Sequence, residues 1–270
     1  MKNYIKKFHK DGFVIVPSIL DEYEIKYYTN ACNSPVFKKH LDSIESGWDF
    51  HLLEASFFSK QILELAKNKK IIDLLIPILG ENIQIQHTKL TTKIPGKGKG
   101  EVSWHQDFAY FPHTNTSLVA VMIALDEITE NNGCMKILKK SHKLGLLNHM
   151  NNNNYIEDCK EQVWIGNEKN IENIIIPKGG VSIHHCLSLH CSNDNISKKP
   201  RTSIVIQYRA DDAMQLADSI WKDTGILVSG VRTFNVRCEN LHFLLPKSDR
   251  YGTKYPFGSA WNQIGQIASK

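Results

Sequence analysis

From residue 82 to residue 208 the chain is a succession of strand-length segments, and no other feature limits its fold as much. Ile83-Gln84-Ile85-Gln86-His87-Thr88 alternates apolar and polar residues, the period of a half-buried strand. Leu90 to Ile94 continues it into the turn-rich loop Pro95-Gly96-Lys97-Gly98. Leu118 to Leu125 is apolar throughout and reads as a strand buried on both faces. Asn131-Asn132-Gly133 is a strong turn before a strand at Met135 to Leu138, and strand texture returns at Ile174-Ile175-Ile176, in 179–190 and in 201–208. Ahead of these, Leu20 to Ala31 follows the acidic pair Asp21-Glu22 as a helix. Lys60 to Leu79 reads as a second helical region, with apolar residues every three or four positions and an end at Pro77 and Gly80. Residues 1–19 form an entry segment, with Phe13 to Pro17 a brief strand after the turn at Asp11-Gly12. The fold class is mainly β with flanking helices. One domain is expected over 1–270, with a helical part about 20–80, a β core about 82–210 and an extension 211–270 that carries no legible pattern. Asn151 to Asn154 interrupt the core as a solvated loop or a lid.

Composition excludes several classes of function. Charged residues make up 23% of the 270, and the formal charge is +5, with the lysines scattered rather than striped. That balance suits small anions such as keto acids and gives no footprint for nucleic acid. No apolar run reaches the roughly 18 residues of a membrane span, and the N-terminus lacks the apolar segment of a signal peptide. The six cysteines contain no C-x-x-C pair, and Cys186 and Cys191, although flanked by histidines, lack zinc-knuckle spacing. They read as reduced thiols of a cytoplasmic protein. The expected partner is a small-molecule substrate, with no nucleic acid and no membrane; the oligomeric state leaves no mark in the sequence.

Within the β region lies Trp104-His105-Gln106-Asp107. His105 and Asp107 are two apart, so on a strand both side chains leave one face. An imidazole beside a carboxylate is two thirds of a 2-His-1-carboxylate triad, whose open positions favour non-haem Fe(II) and O2. A second copy, His9-Lys10-Asp11, falls just before a turn and reads as a solvated helix end. His190 is the candidate third ligand, and His184 and His185 compete for the role without an arginine suitably placed after them. A three-ligand metal leaves room for a bidentate 2-oxo acid, whose far carboxylate needs a fixed cation. Arg201, eleven residues after His190, supplies two parallel hydrogen bonds and Ser192 a third. A hairpin folded at 193–200 would set Arg201 beside His190. This is the pattern expected for 2-oxoglutarate.

Taken together, residues 104–107, the run NNGCMKILKKSHK at 131–143 and the segment 179–201 resemble the phytanoyl-CoA dioxygenase family. Phe8 to Ile15 resembles that family's N-terminal segment, which accounts for the second His-x-Asp. The resemblance covers most of residues 8–209. It implies a double-stranded β-helix, or jelly-roll, core that binds Fe(II) and the co-substrate 2-oxoglutarate and uses O2. His105, Asp107 and His190 match the iron ligands, Arg201 and Ser192 the co-substrate carboxylate site, and Thr91 and Lys93 further co-substrate contacts. Gly180 departs from the family's frequent Asp after Gly179. Family members that halogenate lack the triad carboxylate; Asp107 is present, so halogenation is not expected.

The expected activity is hydroxylation of an unactivated C–H in a small polar metabolite or natural-product intermediate, with succinate and CO2 as co-products. Gln106, Phe108, Tyr110 and His113 flank the ligand strand as candidate pocket residues, and Lys89 is placed to meet an anionic group of the substrate. Desaturation, cyclisation and epimerisation draw on the same iron chemistry. A protein or RNA hydroxylase and a non-catalytic barrel are the remaining readings. The modest charge counts against the first, and the intact ligand set with Arg201 counts against the second.

Overall fold

A computed structural model describes residues 2–35, 37–38, 50–96, 100–150, 158–217 and 223–245. The strand-rich stretch forms two antiparallel sheets. The larger contains β1 (Phe13–Val16), β2 (Phe50–Leu53), β3 (Ile83–Lys93), β5 (Leu118–Ala124), β8 (Val181–His185), β10 (Arg201–Ala210) and β11 (Ile226–Ser229). Its order is β1-β8-β5-β10-β3-β11, and β2 also pairs with β3. The smaller runs β4-β9-β6-β7, from β4 (Val102–His105), β9 (His190–Ser192), β6 (Met135–Leu138) and β7 (Ile171–Ile174). Two facing sheets of this kind make the mainly-β jelly roll expected from the sequence.

Alternation along the larger sheet gives each face its task. Leu90, Val121, Ile123, Val181, Ile183, Ile204 and Ile206 point to one side, where they form the main core with the helices. Those helices are α1 (Lys2–Asp11), α2 (Glu22–Cys32), α3 (Ala55–Phe58), α4 (Lys60–Ala66) and α5 (Lys69–Leu79). Ile25, Ile62, Leu65, Ile71 and Leu75 are their contribution to that core. A capping box starts α2: Asp21 accepts from the Glu24 backbone N–H, and Glu24 accepts from that of Asp21. The single helical region expected over 60–79 is two helices. The Asn68 side chain accepts from the Lys70 N–H and starts α5 afresh, and Pro77 lies inside its last turn, so Gly80 (φ 88°) ends the helix.

The opposite face of the sheet is polar, yet β3 is buried along its whole length instead of half-buried. The smaller sheet covers that face, so the alternation of β3 separates two interiors rather than core from water. A bulge sets the phase. Gln207 pairs with His87 but Tyr208 pairs with Ile85, which leaves Gln86 as the extra residue. Before the bulge Ile83 and Ile85 face the helices; beyond it Leu90 does, and His87, Lys89, Thr91 and Lys93 face the smaller sheet.

The C-terminal segment carries one strand that the sequence did not announce. β11 pairs with Ile83–Ile85 on the edge of β3 left open by β2, which covers Lys89–Thr92. Leu241 and Phe243 then pack beside Phe108 and Leu118. Asn151 to Asn154 lie outside the described residues. Among the described residues no helix is long and apolar enough to cross a membrane.

Burial holds several imidazoles below their usual range, among them His51 at about 3, His113 at about 4, His149 at about 4 and His185 at about 3, from 6.5. Each therefore binds a proton in the unfolded chain below about pH 6.5 and in the folded chain only near pH 3–4. Their stabilisation is intact above pH 6.5 and is lost as pH falls, at roughly 1.4 kcal/mol per group per pH unit. The Glu54 carboxyl, pushed up to about 8 by burial, runs the other way as a single group. The metal-free protein is expected to lose most of its stability between pH 6.5 and pH 4.5. Equal urea midpoints at pH 7 and pH 5 would contradict this.

Candidate active site

His105 ends β4 directly opposite His190, the first residue of β9. Their rings lie 4.1 Å apart between centroids, and each is turned the same way by its own chain. His105 Nδ1–H donates to the Ser103 carbonyl and His190 Nδ1–H to the Ser188 carbonyl, both at 2.8 Å. That leaves the two Nε2 lone pairs facing a common point, the tautomer a metal requires. The strand stops at His105 rather than running on to Asp107. Gln106 stays extended (φ −116°, ψ 129°), so the alternation still carries Asp107 to the same side, where it opens a 3-10 turn.

Asp107 treats its two oxygens differently. Oδ1 lies 3.8 Å from His105 Nε2 and 3.9 Å from His190 Nε2. Oδ2 accepts from Gln207 Nε2 at 2.7 Å and from His184 Nε2 at 3.3 Å. One ring nitrogen from each of His105 and His190 and one Asp107 carboxylate oxygen all lie within 4.8 Å of one another, and all three residues are buried. Burial lowers both ligand histidines and keeps them neutral. Burial also pushes the Asp107 carboxyl up, but the His184 hydrogen bond and the electrostatic attraction of the surrounding His190, His184 and Lys89 side chains outweigh it and hold it well below the usual range. Two neutral imidazoles and one carboxylate, each oriented by a second hydrogen bond, fit a divalent iron with coordination positions left open.

These residues form one end of a cavity between the sheets, with about 560 Å³ of space when the solvent at its mouth is included. At the other end stands Arg201, 2% exposed, whose guanidinium donates to the Gly133 carbonyl (2.7 Å) and the Ser203 hydroxyl (3.1 Å). Thr91, Lys93 and Ser192 line the cavity too; Thr91 bonds His51 Nδ1 at 3.2 Å, and Lys93 Nζ donates to the Gly100 and Asn193 carbonyls. The expected hairpin between His190 and Arg201 does not form. β9 and β10 belong to different sheets, and residues 193–200 cross between them, so Arg201 faces the triad from the opposite wall, paired with Lys93.

Lys89 lines the cavity. Gln106 and His113 do not, and the Gln106 amide and His113 Nδ1 serve the backbone instead. Gln106 donates to the Gly145 and Leu187 carbonyls and accepts from the Leu147 N–H, and His113 Nδ1 donates to the Phe111 carbonyl. Phe108 is core, its ring edge-on to Phe243, and Tyr110 packs edge-on against His105 at 5.7 Å. His184, the rival ligand, reaches the site from the larger sheet and meets the carboxylate instead of the metal position; His185 turns away toward Phe8 and His142. His9 is exposed on α1, and neither it nor Asp11 lines the cavity.

Gln207 and His51 also line the cavity. Gln207 had a signal, since Arg201, Ser203, Val205 and Gln207 alternate along one strand face. His51 had none, because β2 lies in a stretch without a strand pattern.

The sequence matches the family model described as Phytanoyl-CoA dioxygenase over residues 8–203. The chain belongs to the phytanoyl-CoA dioxygenase family. A probable alpha-ketoglutarate-dependent hypophosphite dioxygenase of Stutzerimonas stutzeri is 34% identical over 188 residues, 67% of this chain and 65% of that protein. An ectoine dioxygenase of Streptomyces avermitilis is 23% identical over 235 residues, 76% of this chain and 77% of the relative. Among solved structures, the epimerase SnoN in complex with Fe3+, alpha ketoglutarate and nogalamycin RO superposes with a TM-score of 0.67. At 19% identity over 92% of this chain and 95% of the other, it shows the shared fold.

Replacing Gln207 by Leu removes the shorter of the two bonds to Asp107 Oδ2. Fe(II) affinity should fall about tenfold to a hundredfold, the usual cost of losing such an outer partner. Anaerobic titration with Fe(II) measures it, and an unchanged Kd would mean that His184 alone orients the carboxylate.

Proposed function

We propose that the chain is an Fe(II)- and 2-oxoglutarate-dependent oxygenase that hydroxylates a small polar molecule. The observation that carries this is the convergence of His105, Asp107 and His190 at one end of a cavity between the sheets with Arg201 at the other. His105 Nε2, His190 Nε2 and Asp107 Oδ1 hold the iron. Arg201 receives the far carboxylate of the co-substrate in a two-point contact, with Ser192, Thr91 and Lys93 around it. Iron bound there supplies oxygen activation coupled to oxidative decarboxylation of 2-oxoglutarate: 2-oxoglutarate, O2 and R–H give succinate, CO2 and R–OH.

The protein's own part is positioning and exclusion of water. Gln207 and His184 fix the carboxylate so that a single oxygen is presented. The two Nδ1–H···O bonds fix the imidazoles without rearrangement during turnover. Val102, Met122, Met135 and Val205 give the cavity apolar walls that keep bulk water from the reacting centre. The hypophosphite and ectoine relatives are named as dioxygenases of small molecules, which favours hydroxylation over desaturation, cyclisation or epimerisation and a small substrate over a protein or RNA. The same reading takes residues 1–270 as one domain and its six free cysteines as those of a cytoplasmic protein.

The test is succinate release from 2-oxoglutarate under air with added Fe(II). Wild type should turn over slowly even without substrate, and Asp107→Ala should fall to background. Arg201→Ala should raise the half-saturating 2-oxoglutarate concentration about tenfold to a hundredfold, the worth of a charged hydrogen-bonded contact. Succinate release that persists in Asp107→Ala would overturn the assignment.

A further inference from the structure

Without substrate, the reaction above is short of electrons. Reducing O2 takes four, and decarboxylating one 2-oxoglutarate supplies two. The other two come from the C–H bond of the substrate. Succinate release in its absence therefore needs a second two-electron donor, and the side chains that enclose the oxygen site stand nearest. Among the described residues lining the cavity, three contain sulfur: Met122, Met135 and Cys191. Cys191 stands between His190 and Ser192 on β9, so alternation turns its thiol to the outer face of the smaller sheet, beside Lys136 and Asn173. Burial pushes that thiol up to about 12, so it stays protonated and unreactive.

The two methionines come from opposite walls to the place next to the metal position. Along the larger sheet His184, Ala120 and Gln207 form one rung, and Ser182, Met122 and Val205 the next. In the smaller sheet His190 pairs with Ile137, and one rung on Ser192 pairs with Met135. Each thioether thus starts roughly 7 Å of strand from the residues around the iron position, on the side toward Arg201. A methionine side chain bridges such a distance.

Both also meet in one apolar cluster, Met135 buried and Met122 partly open. β5 lies inside the sheet between β8 and β10, with Val121 and Ile123 turned to the helices, so the open part of Met122 is open to the cavity. A thioether is flexible and polarisable. Its sulfur takes up an oxygen atom through a lone pair, with no bond to hydrogen broken. The C–H bonds of Val102 and Val205 beside it offer no such route.

We propose that, with no substrate in the cavity, the oxygen atom otherwise given to substrate is delivered to the thioether of Met122 or Met135. The balance is 2-oxoglutarate, O2 and R–S–R′ giving succinate, CO2 and R–S(=O)–R′. One oxygen of O2 enters succinate and the other forms the new S–O bond. The sulfur lone pair supplies the two missing electrons, and no proton moves. The product is a methionine sulfoxide, a polar and chiral group in a wall that was apolar. It stands between the triad and Arg201, where the co-substrate chain passes, so the modified protein holds 2-oxoglutarate less well and idle turnover stops itself. Enzymatic reduction of the sulfoxide restores the wall. This rests on the iron and 2-oxoglutarate reading above.

The experiment incubates the full chain with Fe(II), 2-oxoglutarate and oxygen-18 gas, with neither substrate nor added reductant. It reads succinate, the mass of the intact chain and the position of the label in its peptides. The chain should gain one labelled oxygen for each succinate until both thioethers are oxidised. Met150 and Met214 are partly exposed outside the cavity and report oxidant free in solution. Label at Met122 and Met135 should exceed that at Met150 and Met214 about tenfold, because susceptibility follows access to the oxidant. Dilute hydrogen peroxide on the iron-free chain should reverse that order; if it does not, plain accessibility explains the pattern and the proposal falls. Sulfoxide reductase should strip the label from the peptides, which it cannot do for a hydroxylated carbon. The double variant Met122→Leu, Met135→Leu should gain no labelled oxygen, and if it fails to fold the wild-type peptide map decides. Succinate without label in the chain, label on Tyr110 or another side chain without sulfur, or equal label at Met150 and Met214 overturns the proposal and leaves the iron reading intact. So does a chain that binds 2-oxoglutarate anaerobically with Fe(II) but releases no succinate in air. A chain that shows no Fe(II)-dependent 2-oxoglutarate binding sinks the iron and co-substrate reading, and this inference with it.

Discussion

A carboxylate buried between two sheets has to be answered from every side, and the arrangement around Asp107 is that answer. Ionised and enclosed, it would be prohibitive without partners. Gln207 and His184 satisfy one oxygen from the larger sheet, and the imidazoles of His105 and His190 approach the other from β4 and β9. Both sheets must therefore face each other at a fixed separation for the acid to be tolerated at all. The ligand geometry and the packing of the barrel are in this sense one constraint.

Arg201 depends on a similar economy of backbone. Its guanidinium rests on the carbonyls of the Asn132–Gly133 turn, and that turn works only with glycine at its end. Gly133 has φ 79°, and a Cβ there would lie 2.6 Å from the Asn193 carbonyl and 2.8 Å from the Lys93 side chain. The turn that launches β6 also shapes the floor on which Arg201 stands. Gly12 plays a comparable part outside the site. At φ 89°, its carbonyl accepts from the Ser188 hydroxyl and the His185 N–H, which ties the end of α1 to the link between β8 and β9. The second His-x-Asp of the chain belongs to that brace and not to the chemistry.

The elements most legible in the sequence were those whose local pattern and tertiary role agree. β5 is apolar because both its faces are buried, and α2 starts where its capping box is written. The ligand types and spacings were legible for the same reason: His105-x-Asp107 and His190-x-Ser192 each rely on alternation over two residues, which is local. Pocket residues were not. Gln106 and Phe108 adjoin the ligands in sequence, but only contacts with residues 145, 147, 187 and 243 decide that they face away from the cavity.

What the sequence by itself determined was a set of chemical groups at fixed short spacings, together with a strand-rich body to carry them. Tertiary structure decided which of them meet. His184 and His190 are six residues apart and alike in type, yet the turn between β8 and β9 moves the chain from one sheet to the other. One becomes a partner of the carboxylate and the other faces the metal position. The bulge at Gln86 decided as much for β3, since one extra residue reverses every side chain beyond it. Lys89, Thr91 and Lys93 line the cavity because of that slip. Pairing register is a property of two strands at once, and no single strand's sequence contains it.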